Sequence, residues 1–383
     1  MNRNDSHAAK AAAGIRWKEM ETPRLLIDEA RMDRNIAAMA ELARARGVRL
    51  RPHAKTHKLP SVALRQIEAG AKGITVAKVS EAELMAAHGV SDIFIAYPLV
   101  TEGKLARALE LARRIRLIAG VDSLPGAERA DRAASEAGRT LEVRLEIDIG
   151  FRRTGVPYAE AEALAVAIAG LPHLRLTGIY TFRGAQLNGR PTLDLAAAGA
   201  EEGALMVGLA ERLRARGIPI ADVSVGSTPT AAYAAAVPGV TEIRPGTYVF
   251  QDRMQAAFGV CGPDDCAGSV LVTVVSRPAA DLAIVDGGSK TFATDVQPDV
   301  PPLHLRGFGR IVGYDDARLV RMSEEHGMVE LGPDAQAADI RVGDRLRIVP
   351  NHICSTVNLH NQVWMQRGDR FEAVPVLGRG LLE

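Results

Sequence analysis

The chain has 383 residues, of which 47% are apolar and 24% charged, and its 47 basic and 46 acidic side chains leave a net charge of +1. That balance excludes a nucleic-acid or membrane-surface partner held by bulk electrostatics, and no apolar run reaches the ~18 residues of a bilayer span. The length exceeds a single core of roughly 200 to 250 residues, so a large domain with a smaller companion is expected.

Residues 1–25 read as an N-terminal segment, partly mobile, without the apolar core of a signal peptide, which predicts a cytoplasmic protein. From Leu26 onward, short β-branched runs alternate with Ala/Leu-rich helical stretches such as Ser61–Ala69, Ser80–His88 and Ala159–Ala169. Eight strands are predicted: Val48–Arg51, Gly73–Ala77, Asp92–Tyr97, Ile115–Val121, Leu141–Ile149, Leu174–Thr181, Ala221–Val225 and Glu242–Val249. Eight strand/helix units favour a closed (β/α)8 barrel over 26–262. No Gly-x-Gly-x-x-Gly turn follows the first strand, which disfavours a dinucleotide-binding sheet. Beyond Gly262 the pattern changes to strands without helices: Ser269–Ser276, Leu282–Asp286, Gly307–Gly313, Met328–Leu331, Arg345–Val349, Val363–Arg367 and Phe371–Pro375. This predicts a β-rich C-terminal domain over 263–383, giving an α/β barrel with a second, β-rich domain. Three cysteines, Cys261, Cys266 and Cys354, are too few for a disulfide framework, and Cys261 and Cys266 carry no assigned role.

Barrel enzymes gather their chemistry where strands end. Lys55 stands there, in Arg51-Pro-His-Ala-Lys-Thr-His-Lys58 after the first predicted strand. Arg51, His53, His57 and Lys58 around it are like charges that would favour the neutral, nucleophilic amine; a solvated basic strand end fits the same run. After the seventh and eighth strands, Gly226-Ser227-Thr228 and Gly246-Thr247-Tyr248 offer amides and hydroxyls suited to a phosphate dianion, at the usual phosphate corner of such barrels. A phosphate site facing a reactive lysine suggests pyridoxal phosphate bonded to Lys55.

These runs, with Gly73-Ile-Thr-Val-Ala77 and Pro350-Asn-His-Ile-Cys-Ser-Thr-Val-Asn358, resemble the D-threonine aldolase and D-serine dehydratase family from about Thr22 to Gly378. That family belongs with the alanine-racemase-type (fold type III) pyridoxal phosphate enzymes. The resemblance implies a homodimer acting on a small amino acid, with Arg153 beside the cofactor ring and Tyr180 flanking it. It also implies a divalent metal on His352 and Cys354. Two apart on a strand, these side chains would share one face. The thiolate favours zinc; a carboxylate in its place would suit manganese or magnesium better. In the family the cysteine version accompanies the dehydratases and an aspartate version the aldolases.

One segment departs from the aldolase pattern. Aldolases carry a Tyr-His-Gly-like run after the sixth strand, with the histidine as base; here the run is Phe182-Arg-Gly184. Arg183 cannot act as a base at neutral pH. It could clamp a carboxylate, which hints at an acidic substrate such as a 3-hydroxy-D-aspartate, or be a loop cation. The expected reaction is β-elimination from a D-configured β-hydroxy amino acid to an oxoacid and ammonia, and the alternative is retro-aldol cleavage to glycine and an aldehyde. Asp286 and His326 read as a strand-end turn and a surface residue.

Overall fold

The structure is a computed structural model, and residues 15–383 are described. Of the segment 1–25 expected to be partly mobile, residues 1–14 lie outside the described residues. The chain divides into two compact units, one formed by Ala37–Lys55, Leu59–Gly246 and Gly380–Glu383, the other by residues 15–36, Thr56–Lys58 and Thr247–Arg379. No helix among the described residues is long and apolar enough to cross a membrane.

The first unit is a parallel barrel. Its strands are β1 (Arg49–Leu50), β2 (Ile74–Val76), β3 (Asp92–Pro98), β4 (Arg116–Val121), β5 (Leu141–Asp148), β6 (Leu174–Tyr180), β7 (Asp222–Val225) and β8 (Glu242–Ile243). They pair in the order β1-β8-β7-β6-β5-β4-β3-β2. The ring closes between β1 and β2, where Lys72 N–H donates to the Leu50 carbonyl and Thr75 N–H to that of Pro52, each at 2.8 Å. The predicted (β/α)8 class is what forms. β8 stops at Ile243, short of the predicted Val249. Pro245 carries no N–H for a ladder, and Thr247–Val249 winds into a single 3-10 turn.

Strand alternation decides what lies on each side of this barrel. In Leu141-Glu-Val-Arg-Leu-Glu-Ile-Asp148 the residues Leu141, Val143, Leu145 and Ile147 join the apolar layer under the helices, together with Ile93, Ile95, Leu117 and Val223. The opposite face, pointing inward, is charged. Arg144 spans the interior, donating at 2.6 Å both to Glu242 and to Asp222. Arg51 donates to Glu242 at 2.9 Å and to Asp92 at 2.6 Å. Arg116 continues the chain outward to Asp92 and Glu142, and Arg49 pairs with Asp222. Arg144 and Glu242 are fully excluded from solvent.

The second unit is built on antiparallel strands: β9 (Gly268–Ala279), β10 (Leu282–Val285), β11 (Gly309–Ile311), β12 (Arg318–Met322), β13 (Gly327–Glu330) and β14 (Arg345–Pro350). They form a closed ring in the order β9-β10-β13-β12-β11-β14, because β9 also pairs with β14. The strand Arg24–Asp28 joins β9 antiparallel and Gln362–Arg367 parallel, and Arg370–Pro375 extends that edge. β12 and the short helices Pro333–Ala337 and Ile353–Leu359 are absent from the sequence reading.

Burial alone would disfavour an ionised Glu242, yet the charges of Arg144 and Arg51 outweigh it and hold the carboxyl far below its ordinary value of 4.5. A depressed folded-state value means that the stabilisation is complete above about pH 4.5 and is lost only as pH falls through that lower value. Arg144→Met leaves two buried carboxylates short of a partner and is expected to cost about 3–5 kcal/mol in urea unfolding at neutral pH. The variant should also lose stability less steeply on acidification than the parent chain.

Candidate active site

Lys55 sits in the one-turn 3-10 helix Ala54–Thr56 immediately after β1, its backbone N–H directed at His53 Nδ1 at 3.4 Å. Its ammonium lies 5.5 Å from the centroid of the Phe182 ring. The guanidinium of Arg153 lies 4.9 Å from the same centroid and 5.2 Å from that of Phe151. Phe151 meets Phe182 edge-on at 5.4 Å. Aromatic faces attract cations, so the loops after β5 and β6 gather Lys55 and Arg153 around one ring. Two other basic residues of the Lys55 run, Arg51 and Lys58, are engaged elsewhere. Arg51 is neutralised inside the barrel by Glu242 and Asp92. Lys58, with φ of +54°, belongs to the other unit and donates to the Gly378 carbonyl at 3.3 Å.

Tyr180 ends β6 and is fully buried, its hydroxyl donating to Glu146 at 3.0 Å. Glu146 also accepts from Thr154 at 2.9 Å, and Arg153 stands 4.0 Å away. Burial raises the Glu146 carboxyl above its ordinary value, and the hydrogen bonds from Thr154 and Tyr180 only partly offset this. The ring of Tyr180 packs edge-on against Phe94 at 4.9 Å and lies 5.2 Å from the Arg244 guanidinium.

The turn after β7 has an internal support. Gly226 adopts φ of +81°, and a Cβ there would meet Ala231 Cα and Ile243 Cγ2 at 3.3 Å, so the position requires glycine. Its N–H donates to Glu202 Oε1 at 3.1 Å, and the Ser227 N–H donates to Thr230 Oγ1 at 3.2 Å. Two of the amides that the sequence reading offers to a phosphate, those of Gly226 and Ser227, are therefore taken within the chain. Ser227 Oγ lies 3.0 Å from Thr230 Oγ1 and is a hydroxyl the turn can offer to an anion. Arg183 is buried, 2.7 Å from Glu201 and donating to the Ala198 carbonyl at 2.9 Å. The carboxylate it clamps is one of the chain's own. Sequence reasoning missed Glu202, although one signal was present. In helix Leu195–Ala215 it lies on the buried stripe of Ala198, Gly199, Gly203 and Met206, an acid where an apolar residue would be ordinary.

In the second unit His352 is not on a strand. β14 ends at Pro350, and His352, with φ of −133°, is the N-cap of helix Ile353–Leu359, whose first turn holds Cys354. The imidazole and the thiol nevertheless lie close enough to interact, and Sγ lies 3.2 Å from Thr56 Oγ1 and 3.5 Å from Thr247 Oγ1. His352 Nδ1 is 2.6 Å from Asp295 Oδ2, which also accepts from Ser355 at 2.9 Å. Burial opposes both charges, but the Cys354 thiolate and the Asp295 carboxylate hold the imidazole well above its ordinary range. His352 in turn draws the buried thiol down. Asp252, pushed up to about 6 by burial, accepts the Ile353 N–H at 3.0 Å between the two side chains. Asp295 was also missed; nothing in the spacing of Phe292-Ala-Thr-Asp295 points to it. Tyr248 is buried in the 3-10 turn that begins with Thr247, after Gly246.

These residues fit the groups that the sequence reading expects. An imidazole whose Nδ1 is held by a carboxylate keeps Nε2 for a metal, and a thiolate beside it makes a soft N/S donor pair. Among the described residues no group of three His, Cys, Asp or Glu side chains is arranged to hold a metal ion, so beyond His352 and Cys354 water or substrate would complete the shell. The lysine after β1, the arginine at its side and the hydroxyl-lined glycine turn after β7 suit a phosphorylated aldehyde.

A barrel with such a lysine, followed by a closed β unit, defines the alanine-racemase-type class of pyridoxal phosphate enzyme. A family profile described as the alanine racemase N-terminal domain matches residues 27–254, and one described as a putative serine dehydratase domain matches residues 267–365. D-threo-3-hydroxyaspartate dehydratase of Delftia sp. (strain HT23) is 40% identical over 353 residues, covering 88% of this chain and 92% of its own. D-threonine aldolase of Arthrobacter sp. is 34% identical over 357 residues, covering 92% and 90%. A cysteine-to-alanine variant of D-threo-3-hydroxyaspartate dehydratase, solved in the metal-free form, superposes with a TM-score of 0.87 at 36% identity over 95% of this chain and 99% of that one. The chain belongs to the D-threonine aldolase and D-serine dehydratase family of pyridoxal phosphate-dependent lyases.

A Cβ on Gly120 would lie 2.3 Å from the Tyr180 hydroxyl. Gly120→Ala is therefore expected to force Tyr180 off Glu146 and to cost about 1–3 kcal/mol in chemical denaturation, with the displaced ring visible in a crystal structure of the variant.

Proposed function

We propose that this protein is a pyridoxal phosphate- and metal-dependent dehydratase of a D-configured β-hydroxy amino acid, of the 3-hydroxy-D-aspartate type, working as a cytoplasmic homodimer. The observation that carries the reading is the pairing of His352, oriented by Asp295, with a cysteine at 354. The cysteine version is the one expected of dehydratases, and a dehydratase from Delftia is 40% identical. The run Phe182-Arg-Gly184 supports it from the other side. Arg183, buried against Glu201, stands where the aldolase pattern has a histidine base and cannot take that role. The acidic substrate rests on the Delftia relative and not on Arg183, whose charge Glu201 already meets.

The neutral amine of Lys55 removes the α-proton, and the Phe182 ring holds it beside Arg153. Arg153 and Tyr180, the latter fixed by Glu146, would flank the cofactor ring, while Ser227, Thr228 and Thr247 would offer hydroxyls to its phosphate, with Gly226, Gly246 and Tyr248 shaping the loops. The cofactor supplies an electron sink for the pair left at Cα. His352 and Cys354 would hold the metal, zinc suiting the soft thiolate, with Asp295 fixing the imidazole. Such an ion would supply Lewis acidity for the departing β-hydroxyl. Loss of the α-proton and the hydroxyl gives an enamine, whose hydrolysis yields an oxoacid and ammonia.

Retro-aldol cleavage is the second reading, supported by the D-threonine aldolase that is 34% identical. Product analysis with D-threo-3-hydroxyaspartate, D-serine and D-threonine separates the two: an oxoacid with ammonia is expected, and glycine with an aldehyde would sink the elimination. Lys55→Ala should abolish turnover and the visible absorption band of the lysine-bound cofactor. Asp295→Asn should weaken metal binding by about 10–100-fold, measured by competition with a chromogenic chelator.

A further inference from the structure

Beneath the turn after β7 lies a buried chain of hydrogen bonds that the proposed reaction does not use directly. Glu202 is almost wholly excluded from solvent and Thr230 entirely so. Glu202 Oε1 accepts the Gly226 N–H at 3.1 Å, and Oε2 lies 3.1 Å from Thr230 Oγ1. That hydroxyl in turn accepts the Ser227 N–H at 3.2 Å and lies 3.0 Å from Ser227 Oγ. We propose that Glu202 is the positioning residue of this turn, acting as a neutral acid that orders the Thr230 and Ser227 hydroxyls so that Ser227 donates toward a bound phosphate. The proposal rests on the pyridoxal phosphate reading and deepens it.

Proton counting gives the argument its direction. A hydroxyl has one proton to donate and two lone pairs. Thr230 Oγ1 must accept the Ser227 N–H, which can only donate. If Glu202 is ionised, the Thr230 proton goes to the carboxylate, Ser227 must donate to Thr230, and the outer side of Ser227 shows lone pairs. A phosphate dianion is acceptor-only and finds no donor there. If Glu202 carries a proton, Oε2 donates to Thr230, Thr230 donates to Ser227 Oγ, and the Ser227 proton is available to an acceptor outside, while Oε1 still accepts from Gly226. Every donor in the chain then has an acceptor.

The surroundings of Glu202 agree with the neutral form. Burial raises its carboxyl above the ordinary value and outweighs the hydrogen bonds and the charges of Arg183 and Arg244 that act against it. Arg183 is itself paired with Glu201 at 2.7 Å, which reduces its pull on Glu202. Arg244 is held by Ser224 at 2.7 Å and by the Thr181 carbonyl at 2.5 Å. A dianion arriving at the turn adds a further like charge and favours the protonated acid, the proton coming from solvent.

The test compares apoenzyme affinities for pyridoxal phosphate and for pyridoxal, which lacks the phosphate, by equilibrium spectroscopic titration. Ser227→Ala, weakening the first and not the second, identifies the turn as the phosphate grip independently of Glu202. Glu202→Ala is expected to weaken pyridoxal phosphate by about tenfold or more and pyridoxal by less than about twofold. Glu202→Gln, whose amide donates to Thr230 and whose carbonyl accepts from Gly226 as the neutral acid does, should restore binding to within about threefold. A Gln variant as impaired as the Ala variant would overturn the neutral-acid role. Equal weakening of both ligands in Glu202→Ala, or of neither, would overturn the positioning role. If Glu202→Ala does not fold by circular dichroism, Thr230→Val breaks the same relay and must show the same ligand discrimination. A parent chain that binds no pyridoxal phosphate overturns the cofactor reading and this proposal with it, whereas normal parent binding with an unaffected Glu202→Ala overturns this proposal alone.

Discussion

The barrel's interior depends on an ionic lattice where most cores rely on oil. Arg144, shared between Glu242 and Asp222, and Arg51, shared between Glu242 and Asp92, tie β1, β3, β5, β7 and β8 together from the inside. Isolated buried charges would be prohibitive. Here each guanidinium finds two carboxylates, and Glu242 also accepts from Ser224 at 2.6 Å. Such a lattice is directional in a way that apolar packing is not, because each bond fixes both distance and angle. Its reach extends to the functional end, since Arg244 binds Ser224 and the carbonyl of Thr181, which follows Tyr180 at the end of β6.

Above that lattice the chemistry is assembled from pieces whose charges are individually managed. Lys55 and Arg153 both lie near the Phe182 ring. Glu146, 4.0 Å from Arg153, accepts from Tyr180 and Thr154. In the second unit His352 is pinned by a carboxylate, and its thiol partner lies within reach of two threonine hydroxyls.

Much of this was legible in the sequence, and what was not has identifiable causes. The eight parallel strands show in periodicity alone, and Lys55 stood out because it follows a strand in a run of unusual composition; the return of residues 15–36 and Thr56–Lys58 to the second unit left no such trace. The strand assigned to His352 and Cys354 failed because a spacing of two is silent on whether a helix cap intervenes after Pro350. Arg318–Met322 escaped because its short apolar pair is interrupted by arginines. Arg183 and Glu202 show a deeper limit. Their sequence neighbours suggest a solvent-facing loop and an ordinary helix, and only the structure reveals that Arg183 is buried against Glu201 and that Glu202 supports the turn after β7. Asp295 reaches His352 across 57 residues, a distance over which no local pattern operates.

The alternation of β5 has a consequence for how this barrel can form and change. Leu141, Val143, Leu145 and Ile147 face the helices, while Glu142, Arg144 and Glu146 face inward, with no position that would serve on both sides. A slip of one residue would turn three charged groups into the helix layer and leave four aliphatic side chains among the arginines and carboxylates. The strand thereby checks its own alignment during folding, and a misthreaded barrel has no low-energy resting place. Insertion of a single residue within β5 would carry the same penalty as such a slip.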